Sequence, residues 1–373
     1  MLFRAPKLNN LELGILNGIL AAREKLKHRI AAPQRWLGVL RRNTFARAIR
    51  GSNSIEGYNV TADDAIAAAQ GEAPVEAERA AWLAVTGYRS AMNYVLQLAA
   101  DPHFSYNEGF LRSLHFMMLH YDLPKHPGCW RPGAIYVRDD ERREVVYEGP
   151  DADLVPRLAA DLIADLNSDR GGPVLVRAAM AHLNLVMIHP FSDGNGRMAR
   201  CLQTLVLGRE GILEPQFSSI EEYLGGNTRA YYDVLAAVGR GRWNPGNDAR
   251  RWIRFCLTAH HRQAETLLRR TNEISRLWDE LEELVRRFQL PERMQFALAD
   301  AAMGLRVRNA SYRPAAEISE NLASRDLTLL VRRGLLVADG ERRGRVYVAS
   351  EDLKRIRQKT LEPRKAKAPV YDD

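Results

Sequence analysis

Apolar residues recur near a helical period along most of the chain. Their spacing predicts helices over residues 8–28, 37–49, 76–100, 107–120, 151–167, 174–188, 196–209, 228–238, 248–258 and 259–288. Two regions break the pattern. In GCWRPGAIYVRDDERREVVYEGP, residues 128–150, the β-branched and aromatic runs Ile135–Arg138 and Val145–Tyr147 flank a charged turn. That is the pattern of a β-hairpin set among helices. In residues 292–350, helical patterns give way to GLLVADGERRGRVYVAS, where Gly340–Gly344 turns the chain between two short apolar strands. Helices followed by a small hairpin predict a winged helix. Ser319 is placed to cap a helix Glu320–Arg333 that stops at Gly334, with Asn321, Ser324, Arg325, Thr328 and Arg332 facing outward. Pro314 falls where the preceding helix should run. Residues 259–288, charged and with leucines at heptad-like intervals, read as a connecting helix. Residues 351–373, polar and basic with Pro363 and Pro369, read as an extended tail.

A chain of 373 residues with 46% hydrophobic and 27% charged residues can bury a sizeable core, so disorder is not expected. The net charge of +8 permits contact with a polyanion without requiring it. Cys129, Cys201 and Cys256 lie far apart with no CxxC pair, which disfavours a zinc site or a disulfide framework and points to a reducing compartment. The first residues, MLFRAPKLNNLELGILNGILAAREKL, interrupt their apolar positions with Glu12 and Asn17 and read as an amphipathic helix, not a signal peptide. The longest stretch without Asp, Glu, Lys or Arg, Ala178–Ser192, is too short to cross a bilayer. A cytoplasmic chain with no membrane partner is the expectation.

The chemistry concentrates in HPFSDGNGRMAR, residues 189–200. The preceding helix, VLVRAAMAHLNLVMI, is apolar on nearly every face and belongs in a core. It must end at His189-Pro190, because proline biases the residue before it away from helical angles. Gly194-Asn195-Gly196 then lets a ligand approach the backbone at the N-terminus of the next helix, where free N–H groups favour an anion. Arg197 and Arg200, three apart, point from the first turn toward one region. Two guanidiniums there oppose the helix dipole, a cost that a polyphosphate would offset. Asp193 is a single carboxylate of the kind that holds Mg2+ together with substrate phosphates. His189, with an ordinary pKa near 6.5, can act as a base at neutral pH. His182, one helix face away, reads as a hydrogen-bonded core histidine. No GxxxxGK[ST] string or kinase signature occurs.

The string resembles the Fic-family signature H-x-F-x-[DE]-G-N-G-R-x-x-R at every defining position. The resemblance implies a mainly α fold, a Fic-type helical bundle with a β-hairpin flap, joined to a small C-terminal winged helix-turn-helix domain. It implies Mg2+-dependent transfer of AMP from ATP to a Ser, Thr or Tyr hydroxyl of a target protein. His189 would be the general base, and Phe191 the core anchor of the loop. Asp193 would hold the metal, and Gly194, Asn195 and Gly196 would form the anion nest. Arg197 and Arg200 would clamp phosphates. The hairpin matches the family's flap through Gly128, Arg131, Ile135 and Val137, and would align a target by strand addition. NTRAYYDVL resembles the adenine-pocket helix, with Tyr231 or Tyr232 near the base or ribose; Gly239 stands where some relatives have asparagine. SNSIEG, Ser52–Gly57, resembles the inhibitory motif [ST]-x-x-x-E-[GN]. Glu56 would pair with Arg200 and block the γ-phosphate, with Ser52 bonding near the glutamate.

The domain reading is then N-terminal helices over 1–106 including the motif at 52–57, a catalytic core over 107–258, a connecting helix over 259–288, a winged helix over 289–350 and a basic tail over 351–373. Residues 289–350 leave DNA open as a partner, and pairing into a homodimer is in keeping with the family. Rival readings are a DNA-binding regulator with a silent Fic core, removal of AMP by the same site, and a donor other than ATP.

Overall fold

The computed structural model describes residues 1–31, 34–139, 144–168, 171–211, 213–340, 345–364 and 368–371. The turns of both predicted hairpins, 140–143 and 341–344, lie outside the described residues. Contacts divide the chain into two units: Met1–Glu24, Arg47–Val60 and Ala77–Ala264 form the first, and Lys25–Ala46, Thr61–Glu76 and Glu265–Asp373 the second. The block 1–106 is therefore not one module but is shared between the two. The expected break at 258/259 also fails, because a single helix runs Arg250–Arg287.

In the first unit the helix Val174–Ile188 is buried along almost its whole length. It packs on Asn195–Gly208, which in turn packs on Arg79–Ala100. Glu108–Leu119 covers Arg79–Ala100, and Val155–Asn167 covers Val174–Ile188. Trp252, fully buried, donates its indole N–H to the Ala179 carbonyl at 2.7 Å and pins the long helix to this core. Glu12, which looks like an interruption in the sequence, is fully buried between Arg250 (2.6 Å) and Arg254 (2.9 Å). Burial alone would raise its pKa; the Asn9 N–H and the two arginines bring it below the ordinary value.

The hairpin forms as expected. Strands Tyr136–Asp139 and Glu144–Glu148 pair antiparallel, Tyr136 opposite Glu148 and Val137 opposite Tyr147. Gly241–Arg242, not foreseen, adds a short parallel strand beside Glu144–Glu148. Tyr136–Asp139 is thus an edge strand. Ile135 lies one residue before it, its carbonyl accepting from Gly149 N at 3.1 Å.

The second unit carries the helices Ala62–Gln70, Gln295–Ala302, Asn309–Ala316 and Glu320–Arg332, then an antiparallel pair of strands, Leu336–Asp339 with Val346–Ala349. Ser319 caps its helix through Leu322 N, and Gly334 takes the left-handed conformation beyond it. Asn321, Ser324, Arg325, Thr328 and Arg332 are exposed. Pro314 sits inside Asn309–Ala316 without abolishing it. Residues 351–360 correct the tail: they form a helix, Glu351–Thr360, capped by Ser350 and seated by the buried Leu353. Leu353 and Ile356 alone among charges gave too weak a period to be read as a helix face. Among the described residues no helix is long and apolar enough to cross a membrane.

Candidate active site

His189 ends the helix Val174–Ile188 in the left-handed conformation, φ +52°, with its N–H bonded to Leu185 O at 3.0 Å. Its Nδ1 lies 3.0 Å from the Val186 carbonyl, which can only accept. The proton therefore sits on Nδ1, and the Nε2 lone pair is free to take another. Burial lowers the pKa of this imidazole, which keeps it neutral near pH 7 with the Nε2 lone pair unprotonated.

The loop beyond is closed on itself. Asn195 accepts from Phe191 N at 3.0 Å and donates to Phe191 O at 2.8 Å. Phe191, fully buried, stacks on His115 with centroids 3.7 Å apart and planes 6° apart. His115 Nδ1 accepts from Gly128 N (2.8 Å), so its Nε2–H donates to Asp193 O (3.0 Å). Arg131 ties the flap to the loop, its Nε donating to His189 O (2.8 Å) and its N–H to Pro190 O (2.9 Å). Neither Arg131's contacts nor His115 followed from the sequence; the pair surfaces only when the flap folds back onto the loop.

Gly194 caps Asn195–Gly208 at φ +76° with no side-chain cap bond, so the first-turn N–H groups stay open. Arg197 and Arg200 are both buried. Arg197 Nε and Nη2 and Arg200 Nη1 have no hydrogen-bond partner among the described residues. Burying such donors is costly unless an anion receives them, so the helix mouth is chemically suited to an anion. Asp193 Oδ2 is held by Lys125 Nζ at 2.6 Å, a contact the sequence reading missed because Lys125 comes from a 3-10 turn, Leu123–Lys125. Burial works against the Asp193 charge, but Lys125 and Arg197 keep its pKa below the usual carboxylate value.

Glu56 reaches the same mouth. Its Oε1 accepts from Arg200 Nη2 at 2.6 Å and lies 2.5 Å from where a side chain on Gly196 would begin. Ser52 departs from expectation: it bonds Arg200 itself, accepting from Nε at its hydroxyl (2.7 Å) and from Nη2 at its carbonyl (3.0 Å). Burial opposes the charge on Arg200, and Glu56 more than offsets it.

Residues 105–207 match the Fic/DOC family. The chain carries a Fic-family domain. It is similar to the protein adenylyltransferase Fic of Aedes aegypti, 37% identical over 102 residues, 26% of this chain and 17% of that one. The protein adenylyltransferase Fic of Nematostella vectensis is 27% identical over 276 residues, 71% of this chain and 58% of that one. The chain thus spans less than two thirds of the length of these curated relatives. In fold it is similar to a Fic family protein from Desulfovibrio desulfuricans G20, TM-score 0.59 at 20% identity, covering 94% of this chain and 99% of that one. Fic-1 from C. elegans gives 0.56 at 21% identity, covering 69% and 72%.

The tyrosine pair expected near the adenine splits. Tyr231 is 1% exposed, and its hydroxyl donates to His182 Nε2 at 2.9 Å. His182 is buried and its Nδ1 donates to Gln203 Oε1 at 2.6 Å, the core histidine expected. Tyr231 therefore supports the floor under Arg200, whereas Tyr232, 42% exposed, donates to Ile55 O (3.1 Å) at the end of the helix bearing Ser52. Of the two, only Tyr232 presents its ring at the surface. Gly239, where an asparagine was looked for, packs against Tyr147, whose ring would lie 2.9 Å from a Cβ there. Tyr147 in turn donates to Met187 O at 2.7 Å, so a larger residue at 239 would displace the flap strand from the core.

Proposed function

We propose that this chain is a protein adenylyltransferase that moves AMP from ATP to a hydroxyl of a target protein, and that Glu56 restrains it. The observation that carries the reading is the pairing of an Nε2 lone pair on His189 with unpartnered guanidinium donors of Arg197 and Arg200 at an open helix N-terminus. In the proposed step His189 Nε2 takes the proton of the target hydroxyl. The hydroxyl oxygen bonds the α-phosphorus, the α–β bridging P–O bond breaks and pyrophosphate leaves. Arg197 and the first-turn N–H groups hold the phosphate oxygens, and positioning with charge stabilisation supplies most of the acceleration. The edge strand Tyr136–Asp139 offers unpaired backbone groups to an extended target segment, with Ile135 and Val137 two apart beside it.

Mg2+ fits this donor set only in company with the nucleotide. Among the described residues no group of three His, Cys, Asp or Glu side chains gathers to hold a metal. Asp193 would supply the single protein carboxylate, released from Lys125, and the phosphates the remaining oxygens. When bound there, the cation would neutralise phosphate charge. The names of the Aedes and Nematostella relatives support the reading.

The test is to incubate wild type and Glu56→Gly with ATP labelled in the α- or the γ-phosphate, and with other labelled nucleotides. Transfer of the α-label but not the γ-label, rising roughly tenfold or more in the variant, is expected, since relief of about 1.4 kcal/mol is already tenfold. An unchanged rate in Glu56→Gly would sink the restraint. No label from any donor would sink the activity.

A further inference from the structure

Within the first unit His115 fixes two stretches of backbone against one another. Its Nε2–H donates to Asp193 O at 3.0 Å, and its Nδ1 accepts from Gly128 N at 2.8 Å. Gly128 follows closely on the turn Leu123–Lys125, where Lys125 N is bonded to Asp122 O at 3.1 Å and His126 N to Leu123 O at 2.9 Å. Cys129 N then bonds His126 O at 3.1 Å and closes the run. The backbones that carry Lys125 and Asp193 are therefore tied to the same imidazole. What is left to move between them is side chain. Lys125 has a long flexible stem, and its side chain and that of Asp193 are each 33% exposed.

The two oxygens of Asp193 have different duties. Oδ1 accepts from Gly194 N at 2.6 Å, which orients the carboxylate. Oδ2 faces Lys125 Nζ at 2.6 Å and Arg197 Nη2 at 3.7 Å. Arg197 is buried and has no freedom to leave, whereas the Lys125 ammonium has a second seat. Asp122 Oδ2 lies 3.4 Å from the same Nζ, and the Asp122 side chain makes no bond to the turn it precedes. The ammonium thus stands between a carboxylate of the helix mouth and one on its own turn. A single carboxylate oxygen does not serve an ammonium and a divalent cation at full strength, because the two like charges repel across it.

We propose that Lys125 is a positioning residue that competes with the divalent cation for Asp193 Oδ2 and retires to Asp122 when displaced, so that metal affinity depends on the nucleotide. This rests on the nucleotide reading of the site. While the site is empty, the ammonium keeps Asp193 aimed into the mouth. Giving up that ion pair is a cost that phosphate oxygens offset, and that a cation arriving without them meets with one carboxylate alone.

The test is calorimetry on the full chain with an ATP analogue whose α–β bridge is a methylene, in EDTA and in saturating Mg2+. The ratio of the two dissociation constants is the gain that the metal brings. Lys125→Met, which removes the ammonium and keeps the stem, is expected to enlarge that ratio roughly fivefold, the upper worth of a partly exposed ion pair. Lys125→Arg, still a cation, stays near wild type. Asp122→Asn, which removes the second seat, shrinks the ratio about twofold. A merely structural role would shift both constants together and leave the ratio alone. Where Lys125→Met does not fold, Lys125→Gln carries the same expectation. An unchanged or smaller ratio in the folded variant overturns the proposal, and so does a ratio enlarged by Asp122→Asn. Binding of the analogue that Mg2+ leaves unchanged in every variant overturns this inference alone. If wild type binds the analogue in neither condition, the nucleotide reading falls first and takes this inference with it.

Discussion

The loop 189–200 and the segment 47–60 meet at Arg200, yet they are held in opposite ways. The loop is fixed from within and from directly beneath: Asn195 clasps Phe191, His115 stacks under it, and Arg131 holds two successive carbonyls. The segment is a helix end closed by its own bonds, Asn53 donating to Ile49 O at 2.8 Å and accepting from Tyr58 N at 3.1 Å, and it meets the rest of its unit along one face. There Gly51 lies so close to the helix Glu221–Gly226 that a Cβ would come 2.5 Å from Glu221 O, and one on Gly225 2.6 Å from Gly51 O. Backbone-to-backbone contact of this kind gives a defined seat but little bonding. Under the proposed function, a firmly held loop faced by a separable carboxylate suits chemistry that must be constant and access that must be adjustable.

His189→Ala separates the two regions most sharply. Transfer should fall by about 10²–10⁴, the usual worth of a general base, while ATP binding measured by calorimetry stays close to wild type. Loss of binding in step with activity would mean that His189 shapes the site instead of taking a proton. Phe191→Ala comes next. Removing a fully buried ring stacked on His115 should cost about 3–5 kcal/mol in the unfolding transition of the first unit, with loss of transfer whether or not Glu56 is present. Retained stability would show that the loop is not held from beneath.

The two regions also differ in how far the sequence reveals them. The loop was legible because base, carboxylate, glycines and both arginines lie within twelve residues, and local chemistry at that density has few structural explanations. Its supports were not. His115 and Lys125 are ordinary residues in the sequence, and only the packing of Glu108–Leu119 and of the turn Leu123–Lys125 against the loop brings them within 3.0 and 2.6 Å of Asp193. The pairing of Glu56 with Arg200 was legible through the SNSIEG string, but the role of Ser52 was misplaced by one partner. Tyr231 and Tyr232, adjacent in sequence, point to different environments because a helix turns about 100° per residue. The helix Ala62–Gln70 was missed since ADDAIAAAQ is too short to show a period, and the helix Glu351–Thr360 since six of its ten residues are charged and only Leu353 and Ile356 are apolar.

Gly51→Ala tests the seat of the segment with a smaller effect. Overpacking against backbone atoms typically costs about 1–3 kcal/mol, and if about 1 kcal/mol of that loosens Glu56 from Arg200, transfer should rise roughly fivefold. The double variant with Glu56→Gly should rise no further than Glu56→Gly alone. A fall in transfer from Gly51→Ala in both backgrounds would show that the helix Leu37–Ile55 supports catalysis and does more than restrain it.

The smallest effect concerns pH and asks to which region it belongs. Burial first, and then the charge of Arg200, lower the pKa of His182 to about 3, while in the unfolded chain it is near 6.5. Between those values the unfolded state binds the extra proton, so the stability contributed is complete above about pH 6.5 and is lost as pH falls toward 3. The slope is about 1.4 kcal/mol per pH unit for each such proton. Protonation would place a second cation near Arg200, which Tyr231 and Gln203, both hydrogen-bonded to His182, could not neutralise. Melting of the first unit measured from pH 7 to pH 4.5 should therefore show a slope that His182→Gln reduces by about one proton. Because the principal cause is burial and not the ion pair, the slope should persist in Glu56→Gly. A slope that vanished with Glu56 would move the pH dependence from the buried floor of the loop to the segment that restrains it.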